Sequence, residues 1–516
     1  MNKNDKQPVI PINNSFILLK QLRSVYCFIA ANLFTQRFSF TIKKTSFYLG
    51  CVIIFSFIKL TVMKYKLIKN ISCVVIVVLF FSSCQKETTT RSGLQEEIST
   101  AANNKAQHGH LQQTKTFSSD VAIRWMNMQI ELMRRTTTVG NVAFSRHYAY
   151  SGIALYESVV PGMPAYQSIA SQLNGLNGLP VTTPGLAYHW AASANAALAF
   201  INKKMFPNAS VEDKAAINAL EVALRSQYIN ESDVDIINRS VDFGRAVAQK
   251  IIDWAETDGY QHLNDPYSPP HSGGQYWTPP APLVIHALPY MGNLRPIVPG
   301  SGNDAHPNPP NYAALPAMTL EVINAKPATG TDNYNKAFWW RDFPGTSTPG
   351  HYISILRQVL QNESSTLDVA AIAYALGGII DVDISISTWK AKYEYLLARP
   401  FNYDDFMGQP FTALLSAPHP EYPAAHASLS AANAEAMTVI FGDNYAFTDS
   451  TFNGLVTPQG ISLSPRSYTS FREAGEEAGW SRLYGGIHYR QSIETGFWQG
   501  RKVANNIISK LKFLKE

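Results

Sequence analysis

The chain has 516 residues, 46% of them hydrophobic, enough to bury the core of one large domain or two ordinary ones. Its formal charge of +5 is unevenly spread: residues 1–83 hold eleven Lys/Arg against Asp5 alone, a balance of +10, so the rest carries −5. A mildly acidic body with no basic stripe excludes nucleic acid as an electrostatic partner.

The N-terminal segment reads as targeting. From Met63, Lys64, Lys66 and Lys69 form a positive start, Ile71–Phe81 is an almost wholly apolar run too short to span a bilayer, and Ser82-Ser83-Cys84 follows. The pattern is that of a bacterial lipoprotein signal over 63–83, with Cys84 lipidated as the mature N-terminus. Residues 1–62 then read as an upstream extension from an earlier start codon, with a membrane anchor as the alternative. Residues 84–118, rich in Thr, Gln and Ser, read as a flexible tether. The expectation is an exported lipoprotein of the cell envelope, in the outer membrane or periplasm, held to the membrane by its lipid. All four cysteines (Cys27, Cys51, Cys73, Cys84) fall in this part. The body therefore lacks a disulfide framework, a thiolate nucleophile and a thiolate metal site.

Beyond residue 118 the dominant signal is helical. Apolar residues recur at three- and four-residue spacing over Val121–Met133, Ala143–Val160 (ended by Pro161-Gly162), Leu186–Lys203, Val211–Tyr228 and Asp233–Thr257 (closed by Asp258-Gly259). Between Gly259 and Thr348 Pro, Gly, Asn, Trp and Tyr dominate. That segment is too aromatic for a solvated coil and reads as an ordered connection lining an active-site mouth. Helical spacing returns at His351–Gln361, at Leu367–Ala398 and at Ala427–Ile440, while strand-like alternation is scarce. The expectation is one all-α domain over 119–516, built as two packed helical bundles.

Three segments in the last quarter carry chemistry: Lys392-(six residues)-Arg399-Pro400, Tyr422-Pro423-Ala424-Ala425-His426, and Ser481-Arg482-(five residues)-His488. Together they supply cations, N–H donors, an acid/base and a nucleophilic or ligating nitrogen, the set that a tetrahedral oxyanion requires. Lys392 and Arg399, seven apart at the end of a predicted helix, would project from one face, with Arg399 near its rim because Pro400 disfavours helix there. In isolation such a pair is usually a solvated face, and a lone histidine at a helix start usually a cap. The turn at Pro423–His426 precedes a helix whose first N–H groups point outward and bind anions. Gly485-Gly486 make a bend that returns His488 toward Arg482, whose planar fork suits an oxyanion.

The set resembles the vanadium-dependent haloperoxidases and the related type 2 phosphatidic-acid phosphatases, whose pattern is K-x6-RP, PSGH and SR-x5-H. The first and third segments match; in the second, Ala424 stands for the family's serine and Ala425 for its glycine. Trp277-Thr278-Pro279, Ala337-Phe338-Trp339, Thr348-Pro349-Gly350-His351-Tyr352 and Asp383 with Trp389-Lys390-Ala391-Lys392-Tyr393 also resemble bacterial members, so the likeness spans about residues 119 to 511. It implies vanadate bound by His488 as the vanadium ligand and held by Lys392, Arg399, Arg482 and the Ala424-Ala425 turn. His426 would be the acid/base and Lys392 would polarise peroxide. His419 and Trp389 become halide-site candidates. The implied partners are hydrogen peroxide and a halide, iodide or bromide favoured; the organic acceptor and homo-oligomerisation stay open. Many relatives carry an aspartate four residues after the ligating histidine; here Ser492 stands there, a weaker acceptor. An acid phosphatase with a phospho-histidine intermediate is the alternative, and a catalytically weak oxyanion-binding surface lipoprotein a third. His147, His189 and His351 have no partner at ligand spacing and read as structural.

Overall fold

The segments with helical spacing fold as helices, and their ends fall where the local chemistry puts them. The structure, a computed structural model, describes residues 112–280, 284–342, 348–408 and 411–516, all within one unit, Glu96–Glu516. The expectations for residues 1–62, the signal at 63–83, Cys84 and most of the tether lie outside the described residues. The tether's last residues are docked rather than free. Thr114 Oγ1 donates to Val159 O at 2.7 Å, and the Gln112 carbonyl accepts from Trp190 Nε1 at 2.7 Å.

The described residues form thirteen α-helices and a single two-stranded sheet. In chain order the first five helices are α1 (Asp120–Arg135), α2 (Phe144–Val159), α3 (Trp190–Met205), α4 (Val211–Ile229) and α5 (Val234–Ala255). Ser210 caps α4 by accepting from Asp213 N at 3.0 Å, with Glu212 and Asp213 in the first turn to meet the helix dipole. The aromatic connection is mostly turns and 3₁₀ segments, as its composition predicts, but it also contains α6 (Leu315–Ala325) and α7 (Asp332–Trp339), which its Pro and Gly content obscured. There follow α8 (Thr348–Asn362), α9 (Leu367–Tyr395), α10 (Pro400–Met407) and α11 (Ala425–Phe441). A hairpin of β1 (Phe447–Asp449) and β2 (Arg466–Tyr468), antiparallel, precedes α12 (Phe471–Tyr484) and α13 (Arg490–Lys510).

The 29-residue helix α9 is the spine. Among the described residues it alone is apolar enough to cross a membrane, with mean hydropathy 1.8, yet 89% of that window is buried in protein, so here it is a core helix. Along one side it packs on α2, where backbones nearly touch: a methyl group on Gly378 would stand 2.7 Å from Ala149 Cα. On its other side it meets α11, which packs in turn on α12 and α13. Polar rivets fix this second seam. Asn433 Nδ2 donates to Asp381 Oδ1 at 2.6 Å, and Thr388 Oγ1 lies 2.8 Å from Ser428 Oγ. Close approach of α13 sets the start of α11, since a methyl on Gly496 would stand 2.7 Å from Ala424 O. The result is an all-α fold with α9 shared between two helical groups, and the three chemical segments converge at the C-terminal end of α9.

Candidate active site

Lys392 and Arg399 reach the site by a different route from the one predicted. Helix α9 stops at Tyr395, because Leu396 takes a left-handed conformation (φ 49°) that breaks the hydrogen-bond ladder. Arg399 is the N-cap of the next helix, with Pro400 at its first position, where a missing N–H costs nothing. The two cations therefore share no helical face, and Arg399 is fully buried rather than at a rim.

The Lys392 ammonium donates to three backbone carbonyls, Pro420 O at 2.9 Å, Glu421 O at 2.8 Å and Pro423 O at 2.6 Å. These three contacts match its full donor complement. Lys392 thereby clamps the turn that leads into α11, and it does not line the cavity described below. Arg399 lies between two imidazoles: Nη1 is 3.0 Å from His488 Nε2 and Nη2 is 3.1 Å from His419 Nδ1. It also donates to Ile487 O at 2.8 Å and His419 O at 3.0 Å.

Sequence reasoning missed Glu421. Its Oε1 lies 2.7 Å from His488 Nδ1 and accepts from Tyr489 N at 2.9 Å, while Oε2 accepts from Ser492 Oγ at 2.5 Å. A buried carboxylate thus does reach the ring nitrogen remote from Arg399, and Ser492 steadies that carboxylate instead of replacing it. The reading of Ser492 as a weaker direct acceptor is corrected by this geometry. The signal was in the sequence, two residues before Pro423, but nothing local says that the turn folds its carboxylate back onto residue 488. Arg399 can only donate, so Nε2 of His488 accepts and Nδ1–H donates to Glu421. The bend that returns His488 is as expected, with Gly486 at φ 77°.

His426 sits in the first turn of α11, which begins at Ala425 with Ala424 as N-cap. Its imidazole hydrogen-bonds to the backbone of Trp340 in the sense that favours the protonated form, so a ring N–H donates to the carbonyl. Its Nε2 is 3.6 Å from Asp342 Oδ1. Asp342 lies outside the three segments and was not anticipated. Ala424 belongs to a small apolar cluster with Ala427, Ile493 and Phe497, and its N–H donates to Ser492 O at 3.0 Å. Arg482, buried on α12, is held by Nη2 to Ala337 O at 2.8 Å and Nε to Ser481 Oγ at 3.0 Å.

His488, His426, Asp342 and Arg482 face one cavity of about 290 Å³, while Lys392, Arg399 and Glu421 stand behind its lining. His488, His426, Arg482 and Ala425 form its polar floor, Arg341 and Asp342 its side, and Val142, Leu414, Leu415 and Ile487 its apolar wall. Trp389 and His419 also line it, with ring centroids 4.8 Å apart. By contrast His147 and His189 serve the framework. His147 Nε2 lies 2.9 Å from Met205 O, and His189 caps α3 by accepting from Ala192 N at 3.1 Å.

The electrostatics suit an anion. Burial pushes the guanidinium pKa values of Arg399 and Arg482 down to about 10, and burial with the Arg399 charge holds Lys392 well below the usual ammonium range. Burial and the neighbouring cations hold His419, His426 and His488 well below the ordinary imidazole value. The Glu421 carboxyl is raised to about 7 by burial, against the pull of Arg399. Three buried cations thus face one buried carboxylate and the partly exposed Asp342. This surplus of positive charge favours an anion at the site. The donor set fits vanadate or phosphate once Arg399, which now donates to the lone pair of His488 Nε2, turns its N–H to the oxyanion.

Residues 402–515 match the family described as the VCPO second helical-bundle domain. The structure is similar to the crystal structure of the first bacterial vanadium-dependent iodoperoxidase (TM-score 0.69, 27% identity, covering 78% of this chain and 98% of that one). It is similar in fold to a bacterial vanadium-dependent chloroperoxidase in holo form (TM-score 0.56, 14% identity, 74% and 95% covered) and apo form (0.52, 14%, 72% and 96%). No curated protein matches the chain.

Proposed function

We propose that the chain is a vanadate-dependent haloperoxidase that oxidises iodide or bromide with hydrogen peroxide, a reading supported by its likeness to the vanadium haloperoxidases. The observation that carries the reading is the His488 ring, held at Nδ1 by Glu421 and presenting Nε2 beside Arg399 at the floor of a cation-rich cavity. When bound, vanadate supplies a Lewis acid that activates peroxide without changing its own oxidation state. His488 Nε2 would ligate it, with Arg399 and Arg482 neutralising its oxygens and the Ala425 N–H donating from the helix start. His426, backed by Asp342 and the Trp340 carbonyl, would take and return the proton at its ring nitrogen. Lys392 would act through the turn that it clamps. Trp389 and His419 line the same cavity, and the likeness to an iodoperoxidase supports the larger halides.

A second reading, phosphate-ester hydrolysis through a phospho-histidine, is favoured by Glu421, because a carboxylate on Nδ1 raises the nucleophilicity of Nε2. The deciding experiment takes purified, vanadate-loaded protein and offers it peroxide with iodide, bromide or chloride, beside a generic phosphate ester. Halide oxidation that disappears in His488→Ala supports the peroxidase. Ester turnover without halide oxidation between pH 5 and 8 overturns it. We also propose that the enzyme is exported and anchored through Cys84, on the strength of the Met63–Cys84 sequence. A Cys84→Ser variant that fractionates with membranes as the wild type does would remove that proposal.

A further inference from the structure

Behind the cavity lies a second buried imidazole–carboxylate pair that the chemistry above does not use. His351, on α8, places Nε2 2.7 Å from Asp449 Oδ2, at the end of β1, and both side chains are buried. The same carboxylate oxygen accepts from Trp339 Nε1 at 3.0 Å, while Oδ1 accepts from Thr451 N at 2.9 Å and Thr451 Oγ1 at 2.6 Å. Burial alone would raise this carboxyl, but His351 and these donors outweigh it and hold the pKa at about 2, so the group is ionised.

The pair grips two consecutive indoles. Asp449 holds Trp339 by its N–H, and the His351 ring stacks on Trp340 with centroids 4.5 Å apart and planes 27° apart. Phe452 packs edge-on against the imidazole at 4.9 Å, and Trp340 Nε1 donates to Glu477 Oε1 at 3.0 Å. The Trp340 backbone is also the group to which His426 donates, and the next two residues, Arg341 and Asp342, enter the cavity wall. Trp339 and Trp340 therefore connect the buried pair to the acid/base histidine through one short stretch of chain.

We propose that His351 and Asp449 are positioning residues for His426, holding the Trp339–Asp342 strip so that the Trp340 carbonyl and the Asp342 carboxylate meet its ring. The pair touches no reacting atom. Asp449→Asn keeps the shape but removes the charge that fixes both His351 and Trp339; His351→Phe keeps the stack on Trp340 but loses the hydrogen bond to Asp449. Phe243→Leu, on α5 where the buried ring packs edge-on against Tyr188 away from this strip, serves as a packing control.

The inference rests on the proposed function only for its kinetic arm, so its first readout uses vanadate-free protein. The hydrogen-bonded ring N–H of His426 is followed by proton NMR and assigned by its loss in His426→Gln. Asp449→Asn and His351→Phe are expected to broaden or shift this resonance, while Phe243→Leu, with a comparable loss of thermal stability, leaves it in place. In the loaded enzyme kcat should fall about tenfold, with the halide KM and vanadate affinity within twofold of wild type. If Asp449→Asn does not fold, His351→Phe alone decides. A wild-type resonance in the folded variants, or a loss of thermal stability with resonance and kcat unchanged, shows the pair to be core packing and overturns the proposal.

Discussion

Glu421 and His488, 67 residues apart in the chain, meet at 2.7 Å between Oε1 and Nδ1. That bond sets which nitrogen of the ring carries the proton and leaves the lone pair of Nε2 toward Arg399 and the cavity floor. Replacing Glu421 by Gln keeps an acceptor near Nδ1 but removes its charge and sets an amide against the donors Ser492 Oγ and Tyr489 N. Partners of this kind to a ligating histidine are worth roughly 10–100-fold in affinity or activity. Vanadate retention by Glu421→Gln, measured by equilibrium dialysis, should fall within that range. Unchanged retention would remove Glu421 from the site.

The Lys392 clamp makes a prediction about the vanadate-free protein. Lys392→Met leaves three buried carbonyls without their donor, each costing about 1–3 kcal/mol. Urea unfolding of vanadate-free protein should show a loss of roughly 3 kcal/mol or more. If stability is unchanged and only vanadate affinity falls, Lys392 acts directly on the oxyanion, as the family resemblance implies.

Ala424 stands where relatives have a serine, at the N-cap of α11. A hydroxyl there, turned toward the oxyanion, adds one hydrogen bond to a charged acceptor, worth about 1.5–3 kcal/mol. Ala424→Ser should therefore tighten vanadate binding roughly ten- to hundred-fold, read by titration calorimetry. No gain would mean that the apolar cluster around Ala427, Ile493 and Phe497 keeps the hydroxyl out of the cavity.

Asp381, in the seam between α9 and α11, has one oxygen on Asn433 Nδ2 and the other without a hydrogen-bond partner, and burial raises its pKa to about 7. Since the folded value exceeds the unfolded one, the folded state binds the extra proton between about pH 4 and 7. This contribution is full below about pH 4 and is lost as pH rises through 7, by up to about 4 kcal/mol at 1.36 kcal/mol per unit. Asp381→Asn should flatten that part of the stability profile, so the variant gains on wild type from pH 5 to pH 8 in calorimetry of vanadate-free protein. A constant difference across that range would show that Asp381 does not titrate there.

Much of the helical frame was legible because a helix is a local object. Spacing over Val121–Met133 or Leu367–Ala398 records a buried face in the neighbouring residues themselves, and the observed helices end within a few residues of the expected positions. The break after Tyr395 was not legible, since a left-handed leucine carries no glycine to announce it. Helices α6 and α7 were hidden by a segment whose composition is that of turns.

The sequence by itself determined which chemical groups exist and in what order: two arginines, a lysine and two histidines in three short segments, with alanine for serine at 424. Only the tertiary structure decided how they are used. It turned Lys392 onto three carbonyls, put Arg399 between His419 and His488, and brought Glu421 and Asp342 to the two histidines. The physical reason is that a cation's partner is whichever acceptor lies within about 3 Å once the chain has packed. That is set by the left-handed turn at Leu396 and the close approach of α13 to α11, relations among distant segments that no local spacing encodes.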